Sequence, residues 1–308
     1  MKNLRVFIVS LFVLVTSSIY GVSSFVEVSV GGGWSSLGYE LDNSAQPSLS
    51  VHQNGSYGLN AHIGYGLQFT RLIGVGIGID ISRYGGTGVI NGNAIWQGVN
   101  DTEGEAYNHI TAVDHWIDKQ NMLLLEIPLS IYLRFPIAHY VRLYVQPGVK
   151  ACIPIKSSGS YSGSLRHMGE YEAWGLTISD VPNHGFYSSA MEGKYDLQPQ
   201  VAIAAFLKIG IEGALDKSHN VWLYGALYGS FHCMPAFKTA SEASSIGWRN
   251  DTQEKEMYNA HYFMSDYTPI INTDLMRGKP IPMAVGAEIG LRFRFPHIKP
   301  RRCMCEEE

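Results

Sequence analysis

The chain has 308 residues, 45% of them apolar and only 16% charged, and 23 basic against 27 acidic side chains leave a formal net charge of −4. That balance excludes a basic nucleic-acid binder held by counterion release, and the apolar content excludes a disordered polyampholyte. Four cysteines in this length exclude a disulfide scaffold.

The first element is a leader. Lys2 and Arg5 precede an apolar run over 6–16, and Ser17, Ser18 and Gly21 follow. A charged start, a short apolar stretch and small residues beyond read as a secretory signal peptide over 1–21. The run is shorter than the ~20 residues a transmembrane helix needs. No later stretch is long and apolar enough for a helix to span a bilayer.

The rest is patterned with a period of two. Val26, Val28 and Val30 oppose Glu27, Ser29 and Gly31. Ile63, Tyr65 and Leu67 oppose His62, Gly64 and Gly66, and Ile77, Ile79 and Ile81 oppose Gly76, Gly78 and Asp80. The longest run sets Leu125, Ile127, Leu129, Ile131 and Leu133 against Glu126, Pro128, Ser130, Tyr132 and Arg134. The same alternation continues through Val141–Ile153, Ile203–Ile211 and Val285–Phe295, while 221–231 is extended with ambiguous faces. Eight strands are expected, at about 24–36, 56–69, 73–87, 120–135, 140–155, 195–212, 221–234 and 281–295. Short connections at 70–72, 136–139 and 213–220 alternate with long ones at 37–55, 88–119, 156–194 and 235–280. The long segments are rich in Gly, Ser, Asn, Asp and Tyr and read as loops at one end of the array.

Alternation alone fits a soluble barrel with an apolar interior or a membrane barrel with an apolar exterior. The other face decides. It carries Glu27, Asp80, Glu126, Glu212 and Glu288, nearly balanced by Arg134, Arg142, Lys150, Lys208, Arg292 and Arg294, among many glycines. A crowded lumen needs small residues beside long paired ones. The strands are long enough to cross hydrocarbon at a tilt, and closure satisfies every backbone group there. The expected fold is an all-β, eight-stranded antiparallel up-and-down transmembrane β-barrel over 22–295, followed by a tail at 296–308.

The chain resembles the OmpA/OmpX-like eight-stranded outer-membrane β-barrel family of Gram-negative bacteria. The residues that carry the resemblance are Leu125-Glu126-Ile127-Pro128-Leu129, Val145-Gln146-Pro147-Gly148-Val149-Lys150 running to Ile153-Pro154, Leu223-Tyr224-Gly225-Ala226-Leu227-Tyr228-Gly229, and Val285-Gly286 through Phe295. It implies an outer-membrane location with both termini periplasmic, contact with outer-membrane lipid, and an aromatic last strand read by the outer-membrane assembly machinery. The tail departs from many relatives, and no wall-anchoring role is expected.

Chemistry is sparse. No Gly-x-Ser-x-Gly elbow occurs. His62 and His232 with Ser56 and Ser230 imitate a lipid-modifying site, but hydrogen-bonded lumen or rim residues are the expectation. Asp114-His115-Trp116-Ile117-Asp118, with His109, His167 and His184, offers metal-ligand types on segments expected to be solvated loops. Cys303-Met304-Cys305 is expected to lie in a disordered tail, and Cys152 and Cys233 are not expected to bridge. Trp34, Trp222, Phe69, Phe135, Phe293 and Phe295 fall at strand ends, where rings settle at a membrane interface. Trp96, Trp116, Trp174 and Trp248 fall in the long segments. No catalytic, cofactor or metal site is expected, and no nucleic-acid partner. The lumen-face charges are expected to form a structural network, with Glu126 opposite Lys150 across a hairpin centred near 138 and Glu27 meeting Arg292 or Arg294 across the closing seam. The expected role is structural or surface-interacting through the long loops. A narrow channel for small solutes or ions and a lipid-modifying enzyme are the alternatives, and the extracellular partner stays open.

Overall fold

The structure, a computed structural model, describes residues 23–44, 47–101, 104–182, 185–238, 270 and 275–295. The leader, the tail with Cys303 and Cys305, His184, Trp248 and most of the segment 235–280 lie outside the described residues. No described helix is long and apolar enough to cross a membrane.

Eight antiparallel strands form a closed ring. They are β1 (Ser23–Ser36), β2 (Leu49–Gln68), β3 (Ile73–Asn100), β4 (Ala106–Ala138), β5 (Val141–Tyr171), β6 (Ala202–Ala214), β7 (Val221–His232) and β8 (Met283–Phe295). Each pairs with its neighbours in sequence, and β1 pairs with β8 to close the seam. The fold is an eight-stranded antiparallel up-and-down barrel.

The seam register sets Glu27 opposite Arg292, Val28 opposite Leu291 and Val30 opposite Ile289. Val28→Cys with Leu291→Cys, and Val30→Cys with Ile289→Cys, are therefore expected to cross-link in folded protein whose native cysteines are serine. Gel mobility under oxidising conditions reads this. Absence of linkage in both folded pairs would refute the seam.

Inward glycines make room chiefly for rings. A Cβ on Gly66 would collide with the Phe25 ring, and one on Gly148 with the Phe206 ring.

The strands correct the sequence expectation in several places. The segments 88–119 and 156–194 are not loops. β3, β4 and β5 run far beyond the 9–11 residues a membrane strand needs, and Ser188–Asp196 adds a further strand against β5. The cause is an inversion of pattern. In the lower barrel the outward residues are apolar and exposed, as at Ile127, Leu129 and Ile131, while Glu126, Ser130 and Arg134 face inward and are buried. Above the level of Leu124 the inward face exchanges its charge network for apolar side chains, Met122, Trp116, Val113, Ile90 and Leu165, set among the buried Thr111, Asp118 and Gln120. The outward face there carries Arg83, Lys119 and Lys156. Irregularities at Ile90/Gly92, Trp96/Val99 and Asp114/Ile117 also break the phase.

The sixth strand is interrupted where one continuous run was expected. Residues 188–196 and 202–214 pair with β5 in one register (Ser158↔Asp196, Ala202↔Cys152), but between them Gln198–Pro199 pairs with Phe237–Lys238. Proline at 199 has no N–H for a ladder.

The turn between β4 and β5 is His139–Tyr140, with an irregularity at Pro136/Ala138, so Glu126 lies opposite Cys152 and not Lys150. Trp222 is also misplaced by the sequence reading. It is buried in the barrel mouth beneath Arg142, 4.0 Å from the ring centroid, whereas Trp34, Phe135, Phe293 and Phe295 are exposed on the outer face.

Candidate functional site

The lower lumen is built around Arg292. Its Nε and Nη2 donate to Glu27 Oε2 at 3.0 and 2.7 Å, and its Nη1 donates to Glu212. The rings of Phe25, Tyr132, Tyr144 and Tyr224 lie within 5.2 Å of the guanidinium carbon. Arg134 and Arg142 approach Glu212 at 3.6 and 3.7 Å. Tyr132 donates to Glu27 Oε1, and His62 Nε2 lies 2.9 Å from the same oxygen. Arg294 takes no part in this centre and donates to Ser23 at the rim.

Higher up, His62 Nδ1 contacts Asp80, and Asp80 Oδ2 is 2.7 Å from Lys150 Nζ. The same ammonium is 2.8 Å from Glu126 Oε2, so Lys150 bridges two carboxylates. Its long stem reaches back across the two-residue register difference. Lys208 and Glu288 pair separately at 2.8 Å. Removing an ion from water costs several kcal/mol, so buried charges need such partners. The charged residues read from the sequence thus lie on one wall-to-wall network, save Arg294 at its edge and the separate Lys208–Glu288 pair.

Sequence reading set Tyr132, Tyr144, Cys152 and Ser82 on the inward face without joining them to the charges, and it left Tyr84 and Tyr224 unassigned. Their signal was inward parity, the same as that of the charges. Tyr84 donates to Glu126 Oε1 at 3.0 Å and Ser82 to Glu126 Oε2 at 2.8 Å. Cys152 and Cys233 are both free thiols, the first buried and the second exposed.

Above the charges the barrel is closed. Leu37, Tyr39, Leu197 and Phe237 fold inward from the connecting segments and pack on Met122 and Leu124. Short pairings of Glu40 and Leu41 with Arg277 and Met276 hold the first of these segments in place. The Tyr39 hydroxyl donates to Gln120 at 2.7 Å.

No family model and no curated protein sequence matches the chain. Among solved structures, Neisserial surface protein A is 11% identical, with 89% of this chain and 99% of that one covered, at a TM-score of 0.36. Ail, the attachment invasion locus protein of Yersinia pestis, solved with the heparin analogue sucrose octasulfate, is 10% identical over 88% of this chain and 99% of its own, at 0.27. The translocator domain of the autotransporter NalP from Neisseria meningitidis is 9% identical over 96% and 97%, at 0.21. These likenesses are too distant to say more than the strand pairing already does.

The metal-ligand types singled out on β4 do not gather. Asp114 and His115 are exposed at an irregularity, while Trp116 and Asp118 are buried on the inner face. Asp118 accepts from the Tyr195 hydroxyl at 2.7 Å and from the Ile270 N–H at 2.9 Å. His109 and His167 do meet, 3.3 Å apart, inside the far tip beside Tyr107, Phe186 and Tyr187. His62, Ser230 and His232 are buried in the lumen, away from the outer face.

Burial holds His167 down at about 4, and burial together with His167 holds His109 well below the ordinary imidazole value. The sign follows from linkage. An unfolded imidazole takes its proton near pH 6.5, while the folded tip keeps His167 neutral down to about 4. Between these values the unfolded tip binds more protons, so stability falls as pH falls and levels off below both. His167 alone is worth about 3 kcal/mol across that window. Hydrogen-exchange protection over 106–113 and 165–171, corrected for intrinsic rates, is expected to drop between pH 7 and 4.5. His167→Gln should blunt the drop. Equal protection at both pH values would contradict it.

Proposed function

We propose that this chain is an outer-membrane β-barrel protein whose transmembrane barrel is a sealed pedestal. On this reading the termini and short turns face the periplasm, and the tall sheet built from β3, β4, β5 and 188–196 projects outside the cell as a surface for interaction. One observation carries the proposal: the inversion of polarity along continuous strands. The lower outer face is an apolar belt that only hydrocarbon accommodates without cost. The upper outer face is polar, as water requires, and the interior inverts with it. Closure of the ring leaves no unpaired edge in the lower barrel, which a bilayer demands.

A non-catalytic role is supported by the placement of His62, Ser230 and His232 inside the lumen, out of reach of lipid. A plugged role is supported by the side chains that fill the lumen and the apolar cover above it.

The test has two parts. In a background with the native cysteines replaced by serine, Trp174→Cys at the exposed tip is expected to react with an impermeant maleimide on intact cells. Lys217→Cys in the short turn 215–220 is expected to react only after permeabilisation. The reverse pattern would invert the orientation. Purified protein with heat-modifiable gel mobility is expected to show no stable conductance in a planar bilayer. A steady large current would favour a channel.

A further inference from the structure

Three donors of different chemistry meet at the top of the charged lumen. Cys152 Sγ on β5 lies 3.8 Å from Glu126 Oε1 on β4 and 4.0 Å from His232 Nε2 on β7. All three side chains are buried, and their ligand atoms lie within 4.8 Å of one another. We propose that Glu126, Cys152 and His232 form a binding site for a divalent cation of the zinc type.

The first support is His232 itself. Its side chain is fully buried, and the polar contact of its Nε2 among the described residues is the 4.0 Å approach of a sulfur, at the outer limit for a hydrogen bond. Buried polar groups are nearly always satisfied, and an exception points to a water or an ion. Sulfur beside the imidazole selects between these, because a thiolate is a good ligand for borderline metals and a thiol a poor partner for water.

The second support is the carboxylate. Lys150 Nζ and Ser82 Oγ both hold Oε2, each at 2.8 Å. Oε1 is left facing Cys152, with the Tyr84 hydroxyl donating to it at 3.0 Å. Outer contacts of this kind orient a metal ligand. The third is distance. Zinc with Zn–S about 2.3 Å and Zn–N about 2.0–2.1 Å in tetrahedral geometry sets those atoms about 3.5 Å apart, so Cys152 and His232, now at 4.0 Å, close by about half an ångström.

Charge permits the ion despite Lys150. Asp80 and Glu126 outnumber that ammonium by one, with His62 shared between Asp80 and Glu27. Binding a dication releases the Cys152 proton to solvent and adds one positive charge net, which cancels the surplus. The apolar cover above the lumen makes folding the stage at which the ion enters.

Cobalt(II) is the probe. The chain with Cys233→Ser, Cys303→Ser and Cys305→Ser is refolded in detergent with cobalt, desalted and checked for heat-modifiable mobility. One retained equivalent is expected, with a near-ultraviolet sulfur-to-cobalt band that zinc abolishes. Cys152→Ser in that background, a nearly isosteric change, should lose the band, and His232→Gln should weaken retention at least tenfold. Folded protein that retains no cobalt would overturn the site and leave a buried water as the companion of His232. Retention unchanged by His232→Gln in folded protein would equally overturn it.

Discussion

Replacing Arg292 by methionine is expected to destabilise the barrel by about 3–5 kcal/mol, the range for breaking a buried ion pair from one side. Arg292 is 2% exposed, and its guanidinium donates to two carboxylates on different strands, Glu27 and Glu212. Their losses differ. Glu212 keeps Arg134 and Arg142 nearby, whereas Glu27 keeps His62 and the Tyr132 hydroxyl. The cost should therefore fall mainly on Glu27. Adding Glu27→Gln to Arg292→Met is expected to restore a substantial part of the stability, and Glu212→Gln less. Lysine at 292 should rescue poorly, because one ammonium cannot reproduce the guanidinium fork between two carboxylates or its stacking on rings. Urea unfolding of the refolded barrel in detergent gives the midpoints. A loss under about 1 kcal/mol for Arg292→Met would mean that water reaches this centre.

The second large effect belongs to Lys150. A simple pair with Glu126 would make either truncation equally costly, but Lys150 also bridges to Asp80 at 2.7 Å. Lys150→Met leaves two carboxylates facing each other across β3 and β4, which are opposite in register at Asp80 and Glu126. Glu126→Gln leaves Lys150 still paired with Asp80. Lys150→Met is thus expected to cost about 3–5 kcal/mol, and Glu126→Gln clearly less. Glu126→Gln in the Lys150→Met background should be stabilising, because it removes one of two like charges that face each other without a cation between them. A double-mutant cycle reads the coupling. Additive losses, with no change of sign for Glu126→Gln, would show that the two groups do not interact.

Both centres show what residue types reveal and what register must add. Inward parity alone places Glu126, Lys150, Glu27 and Arg292 on the lumen face, since alternation on a strand is a local property. Which charge meets which is not local. The choice between Arg292 and Arg294 opposite Glu27 is made by the closing seam, where no turn sets the register. The Glu126–Lys150 contact survived a two-residue error in the hairpin because a lysine stem is long. Cys152 and His232 converge through strands far apart in sequence, so their meeting had no sequence signal beyond shared parity.

The barrel itself was legible because one strict alternation, with one face apolar and the other polar or glycine, runs through seven segments, and an eighth is plainly extended. Above the belt the polarity reverses, and Met122, Trp116, Val113 and Ile90 face a water-excluding interior while Lys119 and Arg83 face out. Read for a single polarity, that region looks like loop, because its alternation is inverted and interrupted by local irregularities. Hydrophobic alternation along a single chain thus determined the eight-stranded barrel and its charged lumen. The height of the projecting sheet, the plug of Leu37, Tyr39, Leu197 and Phe237, and the partners of each buried charge were decided only by tertiary structure, because they depend on which strands pair and in what register.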